Sequence, residues 1–323
     1  MLDYTNFLKK TTAYSNVLID FDKERIAHTY LIENQDMNLC FSFAKMLTSL
    51  IIKGKDTDSV FEGKLEKNIH PDVKVYGLEK KIMADNATEI VSDVFVMPYE
   101  EDRKVYILLG CDDMNSEAQN KLLKTLEEPP VSSYFILCTR NEKTLLQTII
   151  SRSKKIEVEN PTSEEIACML EKISSSDSIN KIISVSCSNN ASKAEKMVGN
   201  SSFVKLYDNV FEMFMSMNSS KDILKFIPKF STRDFDVLDF LNVVETVARD
   251  VVYVISGTDK LIQNKHKLTE LRLIASTFSV SALAKILKEC FDFRESLYYN
   301  VSITPALDEF LLKFVEVKVK CKK

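Results

Sequence analysis

The chain has no run of about 18 apolar residues, so no part of it reads as a membrane-spanning helix. The opening MLDYTNFLKK lacks the apolar centre of a secretory leader, so the expected setting is the cytoplasm, with no membrane partner. The seven cysteines are scattered, odd in number and without a Cys-x-x-Cys pair. That excludes a disulfide framework and a thiolate zinc site, and it fits a reducing compartment. His28, His70 and His266 lie far apart, as packing or surface residues do, so no metal is expected. Neither sign of charge dominates: 43 basic residues stand against 47 acidic ones, a net charge of -4. A nucleic-acid contact would have to come from a local patch. The tail lysines Lys318, Lys320, Lys322 and Lys323 form one such patch, but they read as a solvated, frayed terminus.

What is present is a large apolar fraction, 45%, in 323 residues, which predicts two or three domains. The most informative stretch is Lys104 to Ser153, KVYILLGCDDMNSEAQNKLLKTLEEPPVSSYFILCTRNEKTLLQTIISRS. Val105 to Leu109 and Tyr134 to Cys138 are short apolar runs, as expected of strands covered on both faces. Between them Ser116 and Gln119 have capping-box spacing, and Ala118, Leu122, Leu123 and Leu126 share one helical face. Pro129 and Pro130 end that helix. Leu145, Leu146, Ile149 and Ile150 make the stripe of a short helix leading to Arg152. Cys111 and Cys138 read as buried small hydrophobes, since no base accompanies either.

Upstream, Tyr30-Leu31-Ile32 predicts a strand, Glu33 to Asn38 a loop and Cys40 to Ile52 an apolar helix. A phosphate-binding loop would sit there, but its chemistry needs glycines, a lysine and a hydroxyl residue, and this loop has none. Lys53 to Asn68 is a polar insertion that reads as flexible. Val73 to Tyr76 is a further strand, and Asn86 to Phe95 a helix closed by Met97-Pro98. Strands alternating with helices predict a largely parallel sheet. After Ile156 and Val158, on a half-exposed strand, Asn160-Pro161 marks a boundary. Thr162 and Glu165 then open a small helical unit reaching about Asn200. Helical patterns follow at Val204 to Met217, Val237 to Ile255, Leu268 to Phe278, Ser281 to Phe291 and Pro305 to Val317, with Gly257 between two of them. These read as a bundle.

KLLKTLEEPP, Thr139-Arg140-Asn141 and Ser151-Arg152-Ser153 together resemble the clamp-loader branch of the AAA+ ATPase superfamily. Arg25 to Leu31, His70-Pro71-Asp72 and Pro98 to Val105 match the same branch in the same order. Within that branch the chain is most similar to the delta prime family of bacterial DNA polymerase III. The resemblance implies an α/β AAA+-like domain with a mainly parallel sheet (1–160). A small helical lid domain (161–202) and an all-α collar bundle for oligomerisation (203–323) would follow.

The departures from the family pattern matter as much. Alignment on Ala27 to Leu31 puts the phosphate loop's three glycines at Asn34, Met37 and Leu39, its lysine at Cys40 and its hydroxyl residue at Phe41. The Asp-Glu pair that normally holds magnesium falls on Leu109 and Gly110. Asp112 and Asp113 come a few residues late and read as loop solvation or helix-N-terminal charge. Loss of the lysine, the hydroxyl and both acids removes the groups that phosphoryl transfer requires, so the nucleotide site reads as dead, with no cofactor. Asn141 lies at the family's phosphate sensor but reads as a helix cap. The zinc module common in the delta prime family is absent, because residues 53–69 contain no cysteine.

Arg152 survives. By itself it is a surface charge after a helix. In the family it projects into the ATP site of the adjacent subunit, where a fork-shaped guanidinium stabilises the charge developing on the γ-phosphate. The resemblance therefore implies a catalytically silent clamp-loader subunit of a DNA polymerase III holoenzyme, acting in DNA replication. Its implied partners are tau/gamma ATPase subunits and a delta subunit in a hetero-oligomeric ring, and indirectly the sliding clamp and primed DNA. The alternatives are an active ATPase of the same branch, which would bind ATP alone, and a non-replicative interaction scaffold, which would not co-purify with clamp-loader ATPases.

Overall fold

The most apolar strands lie at the centre of a five-stranded parallel sheet, ordered β2-β3-β4-β1-β5. These are β1 (Thr29–Glu33), β2 (Val73–Tyr76), β3 (Lys104–Leu108), β4 (Ser133–Thr139) and β5 (Lys154–Glu157). β3 and β4 are buried at every residue, whereas the edge strand β5 buries only Ile156. Side chains alternate between the faces. Leu31, Tyr106, Leu108, Phe135 and Leu137 turn toward α5 (Ala84–Asp93), α6 (Ser116–Glu127) and α7 (Gln147–Arg152). Their neighbours turn toward α3 (Met37–Lys53) on the opposite face.

The computed structural model describes residues 2–320 except Thr57, Ser175, Arg233, Tyr298 and Asn300. The first compact unit is Met1–Pro161 with Asn190–Ser192, and the second is Thr162–Asn189 with Lys193–Lys323. The helical N-terminal stretch is two helices, α1 (Thr5–Leu8) and α2 (Thr12–Asp22).

Three local expectations change. The charged insertion after α3 contains a helix, α4 (Ser59–Glu66), because Asp58 caps it and Phe61 and Leu65 are buried beneath it. The cap of α6 is Asn115, whose side chain accepts from the N–H of Ala118 at 2.9 Å, so Ser116 is already helical. Gln119 instead donates to the carbonyls of Met114 and Thr144, both at 3.2 Å, and accepts from the N–H of Leu146 at 2.8 Å. The glutamine thus ties α6 to the segment before α7 rather than to its own cap.

The second unit is helical throughout: α8 (Ser163–Leu170), α9 (Asp177–Ser186), α10 (Ala191–Met197), α11 (Ser201–Ser216), α12 (Ser220–Phe230), α13 (Val237–Ser256), α14 (Leu268–Thr277), α15 (Val280–Leu297) and α16 (Ile303–Lys320). The Thr162–Glu165 capping box is formed, with Glu165 N–H donating to the Thr162 hydroxyl at 3.3 Å and Thr162 N–H to Glu165 at 2.8 Å. Helix α12 has no counterpart among the expected helices, because Pro228 interrupts its pattern. The signal was there in Ile223, Phe226 and Phe230, which share a buried face. Packed phenylalanines, among them Phe214, Phe278 and Phe314, fill the bundle.

The basic tail also differs from expectation. Helix α16 continues to Lys320, and Lys318 is buried, its ammonium donating to the carbonyls of Phe214 and Met215. Lys322 and Lys323 lie outside the described residues. Among the described residues no helix is long and apolar enough to cross a membrane.

Candidate functional site

Helix α3 starts where a phosphate-binding loop would deliver its helix, and its own chain caps it. Asp36 is 1% exposed, and its Oδ1 accepts from the N–H groups of Asn38 and Leu39 at 3.1 and 3.2 Å. Its other oxygen accepts from the Ser192 N–H at 2.9 Å and the Tyr4 hydroxyl at 3.4 Å, and the Ser192 hydroxyl bonds the carboxylate as well. A carboxylate on a helix N-terminus satisfies orphan N–H donors and meets the favourable end of the helix dipole. A bound phosphate would use those same donors.

The flanking residues close the loop further. Asn34 is buried; its Nδ2 donates to the Val158 carbonyl and to Asn160, at 2.9 and 2.8 Å, and its Oδ1 accepts from the Asp36 N–H at 2.8 Å. Met37 is half-buried, and Leu39, Cys40 and Phe41 are buried. Burial pushes the Cys40 thiol up to about 12, so the group in the lysine position is neutral. Phe41 lies under the Lys45 ammonium, 4.6 Å from the ring centroid, and that ammonium bonds Glu66 of α4.

At the end of β3, Leu109 is buried and Gly110 adopts a left-handed conformation, φ 67°. The turn packs against Gly77 so closely that a Cβ there would lie 2.1 Å from the Leu109 carbonyl oxygen. Asp112 does more than solvate a loop: it accepts from Thr139 at 3.3 Å and from both the N–H and the guanidinium of Arg140 at 3.0 Å. Burial works against its charge, yet the Arg140 N–H, its own backbone and the Arg140 guanidinium hold the carboxyl below the usual range. Asp113 pairs with Lys81 at 3.0 Å and with Arg140 at 3.6 Å. Asn141 caps the short helical turn Glu142–Thr144, accepting from the Lys143 N–H at 3.1 Å.

The His-Pro-Asp turn and the Pro98–Arg103 segment, far apart in sequence, meet through one buried carboxylate. Asp72 accepts from the N–H groups of Tyr99, Glu100 and Glu101 at 2.6, 2.7 and 2.9 Å. His70 is buried and packs edge-on against Phe61, as a core histidine does. Cys111 and Cys138 are buried, which raises both thiols. Among the described residues no group of three or more His, Cys, Asp or Glu side chains could hold a metal ion.

Arg152 is the last residue of α7 and half-exposed. Its Nη1 donates to the Thr148 carbonyl at 3.0 Å, and its Nη2 lies 2.8 Å from Glu127 Oε1 at the end of α6. β5 begins two residues later, and its Lys154 is in register with Tyr30 near the start of β1. Asn34 to Phe41 follow the other end of β1. Arg152 and the capped α3 start therefore lie toward opposite ends of the strands β1 and β5, separated by the length of β1, on the order of 15 Å. Arg152 and the residues of the β1–α3 loop are not brought together within the chain.

Residues 9–162 match the family model described as DNA polymerase III, delta subunit. Over 309 residues the chain is 24% identical to the DNA polymerase III subunit delta' of Bacillus subtilis, covering 91% of this chain and 93% of that protein. Over 89 residues it is 37% identical to the B. subtilis DNA polymerase III subunit tau, covering 28% of this chain and 16% of that one. A solved structure of a DNA polymerase III gamma subunit-related protein from Thermotoga maritima aligns with a TM-score of 0.46 at 19% identity. It covers 94% of this chain and 99% of that one. The matched segment holds Asp36, Asp72 and Glu127, three carboxylates whose partners sequence patterns did not reveal. Asp36 had a signal, an acid just before an apolar helical run; the other two are met by residues distant in sequence.

Proposed function

We propose that the chain is a delta prime-type subunit of a DNA polymerase III clamp loader that hydrolyses no ATP itself and supplies Arg152 to ATP bound on a neighbouring subunit. The observation that carries this is the placement of Arg152 at the opposite end of the strands from the chain's own α3 start. Any phosphate this guanidinium meets belongs to another molecule. The Asp36 cap supports the silent half of the reading, because the N–H groups a phosphate would use already have a carboxylate.

In this reading the partners are tau/gamma ATPase subunits and a delta subunit in a hetero-oligomeric ring. The first unit docks Arg152 beside a partner's γ-phosphate, where its always-charged fork stabilises the charge that develops as the phosphoryl group transfers. Residues 161–202 serve as the lid and 203–323 as the collar that holds the ring. ATP on the partners then drives loading of the sliding clamp onto primed DNA during replication, in the cytoplasm.

The test is Arg152→Ala in the loader reconstituted with its ATPase subunits. Assembly on gel filtration should be unchanged, and the DNA-stimulated ATPase rate should fall. An unchanged rate returns Arg152 to an ordinary surface charge. Calorimetry of the isolated chain with magnesium-ATP should show no binding in the micromolar range; a micromolar isotherm overturns the silent site.

A further inference from the structure

We infer that Glu127 is the positioning residue for Arg152; this rests on the trans-acting role proposed above. One N–H donor of the guanidinium is tied to its own helix through the Thr148 carbonyl, and its Nη2 is ion-paired with Glu127 of α6 at 2.8 Å. Ties from two elements orient the plane of the fork and leave the other donors for an incoming phosphate. The side chains are 37% and 42% exposed, so the pair is weak enough to exchange a carboxylate for a polyphosphate.

Local forces do not account for a glutamate there. Glu127 is the last residue of α6, where the helix dipole disfavours a negative charge, while Arg152 ends α7, where it favours a positive one. The cost to α6 is offset only across the gap between the two helices. This also gives the glutamate of the Leu126-Glu127-Glu128-Pro129 block a task, since the prolines alone suffice to end the helix.

Glu127→Ala removes an unfavourable charge from a helix end, so it should leave the melting temperature of the full chain unchanged or slightly raised. In the reconstituted loader it should lower the DNA-stimulated ATPase rate about two- to fivefold, the scale of a half-exposed ion pair. Glu127→Asp should recover part of the loss. The decisive readout is the double variant, because a residue acting through Arg152 adds nothing once Arg152 is gone. Glu127→Ala with Arg152→Ala should match Arg152→Ala alone. If Arg152→Ala lowers the rate but Glu127→Ala does not, or if the two losses multiply, the positioning role is overturned while the trans-acting arginine stands. If Arg152→Ala changes nothing, the underlying reading fails first. Side-chain NMR of the arginines in the isolated chain gives an independent check. Rotation of the Arg152 guanidinium should be slowed in the wild type and freed in Glu127→Ala, and equal rotation in both overturns the inference.

Discussion

The N–H of Leu39 donates to Asp36 Oδ1 at 3.2 Å, so one of the chain's own carboxylates occupies the N-terminus of α3. Leu39 stands where the family pattern has a glycine, and its amide is already engaged. Asp36→Ala removes a buried helix cap and leaves the partners Asn38, Leu39 and Ser192 without their acceptor. It should destabilise the first unit by about 2 kcal/mol, read as a lower urea midpoint. It should not create ATP binding, since residues 33–41 still contain no glycine, lysine or hydroxyl side chain.

Gly77 and Leu109 hold the ends of β2 and β3 together at a separation that admits no side chain. Gly77 has φ 89°, and an added Cβ would lie 2.1 Å from the Leu109 carbonyl oxygen. The obstructing atom is backbone, so neither rotamer change nor local give relieves it. Gly77→Ala should cost about 3 kcal/mol or more, measured as a fall in the midpoint of thermal or urea unfolding.

Asp112 should make the first unit sensitive to acid. Its folded carboxyl is held below the ordinary 3.8, so the stability it contributes is complete above that value and is lost as pH falls through the lower, folded one. At neutral pH Asp112→Asn should lower stability by about 1 to 2 kcal/mol through the bonds to Arg140. Denaturation of both proteins across pH 2 to 7 should show the gap closing only below about 3.8. A gap that is constant with pH would assign the effect to packing.

Much of the architecture was legible in the residue pattern. Continuous apolar runs marked the covered strands β3 and β4, whose burial is complete, and the Thr162–Glu165 pair marked the start of the helical half. Errors arose where a residue's partner lies far along the chain. The spacing of Ser116 to Gln119 predicts a cap at Ser116, but Gln119 is drawn to Thr144 and Leu146, and Asn115 caps instead. The position of Lys318 near the chain end predicts a frayed terminus, yet carbonyls some hundred residues earlier receive its ammonium.

The sequence by itself determined which groups are missing from the β1–α3 loop, since absent glycine, lysine and hydroxyl side chains are a matter of composition. Arg152, by itself a surface charge, was singled out only by the family resemblance of Ser151-Arg152-Ser153. Only the tertiary structure decided what replaces the missing groups and where the arginine stands. Hydrogen bonds join Asp36 to Tyr4 and Ser192 across long separations, and parallel strand pairing, not chain order, sets Arg152 at the opposite end of the strands from the α3 start.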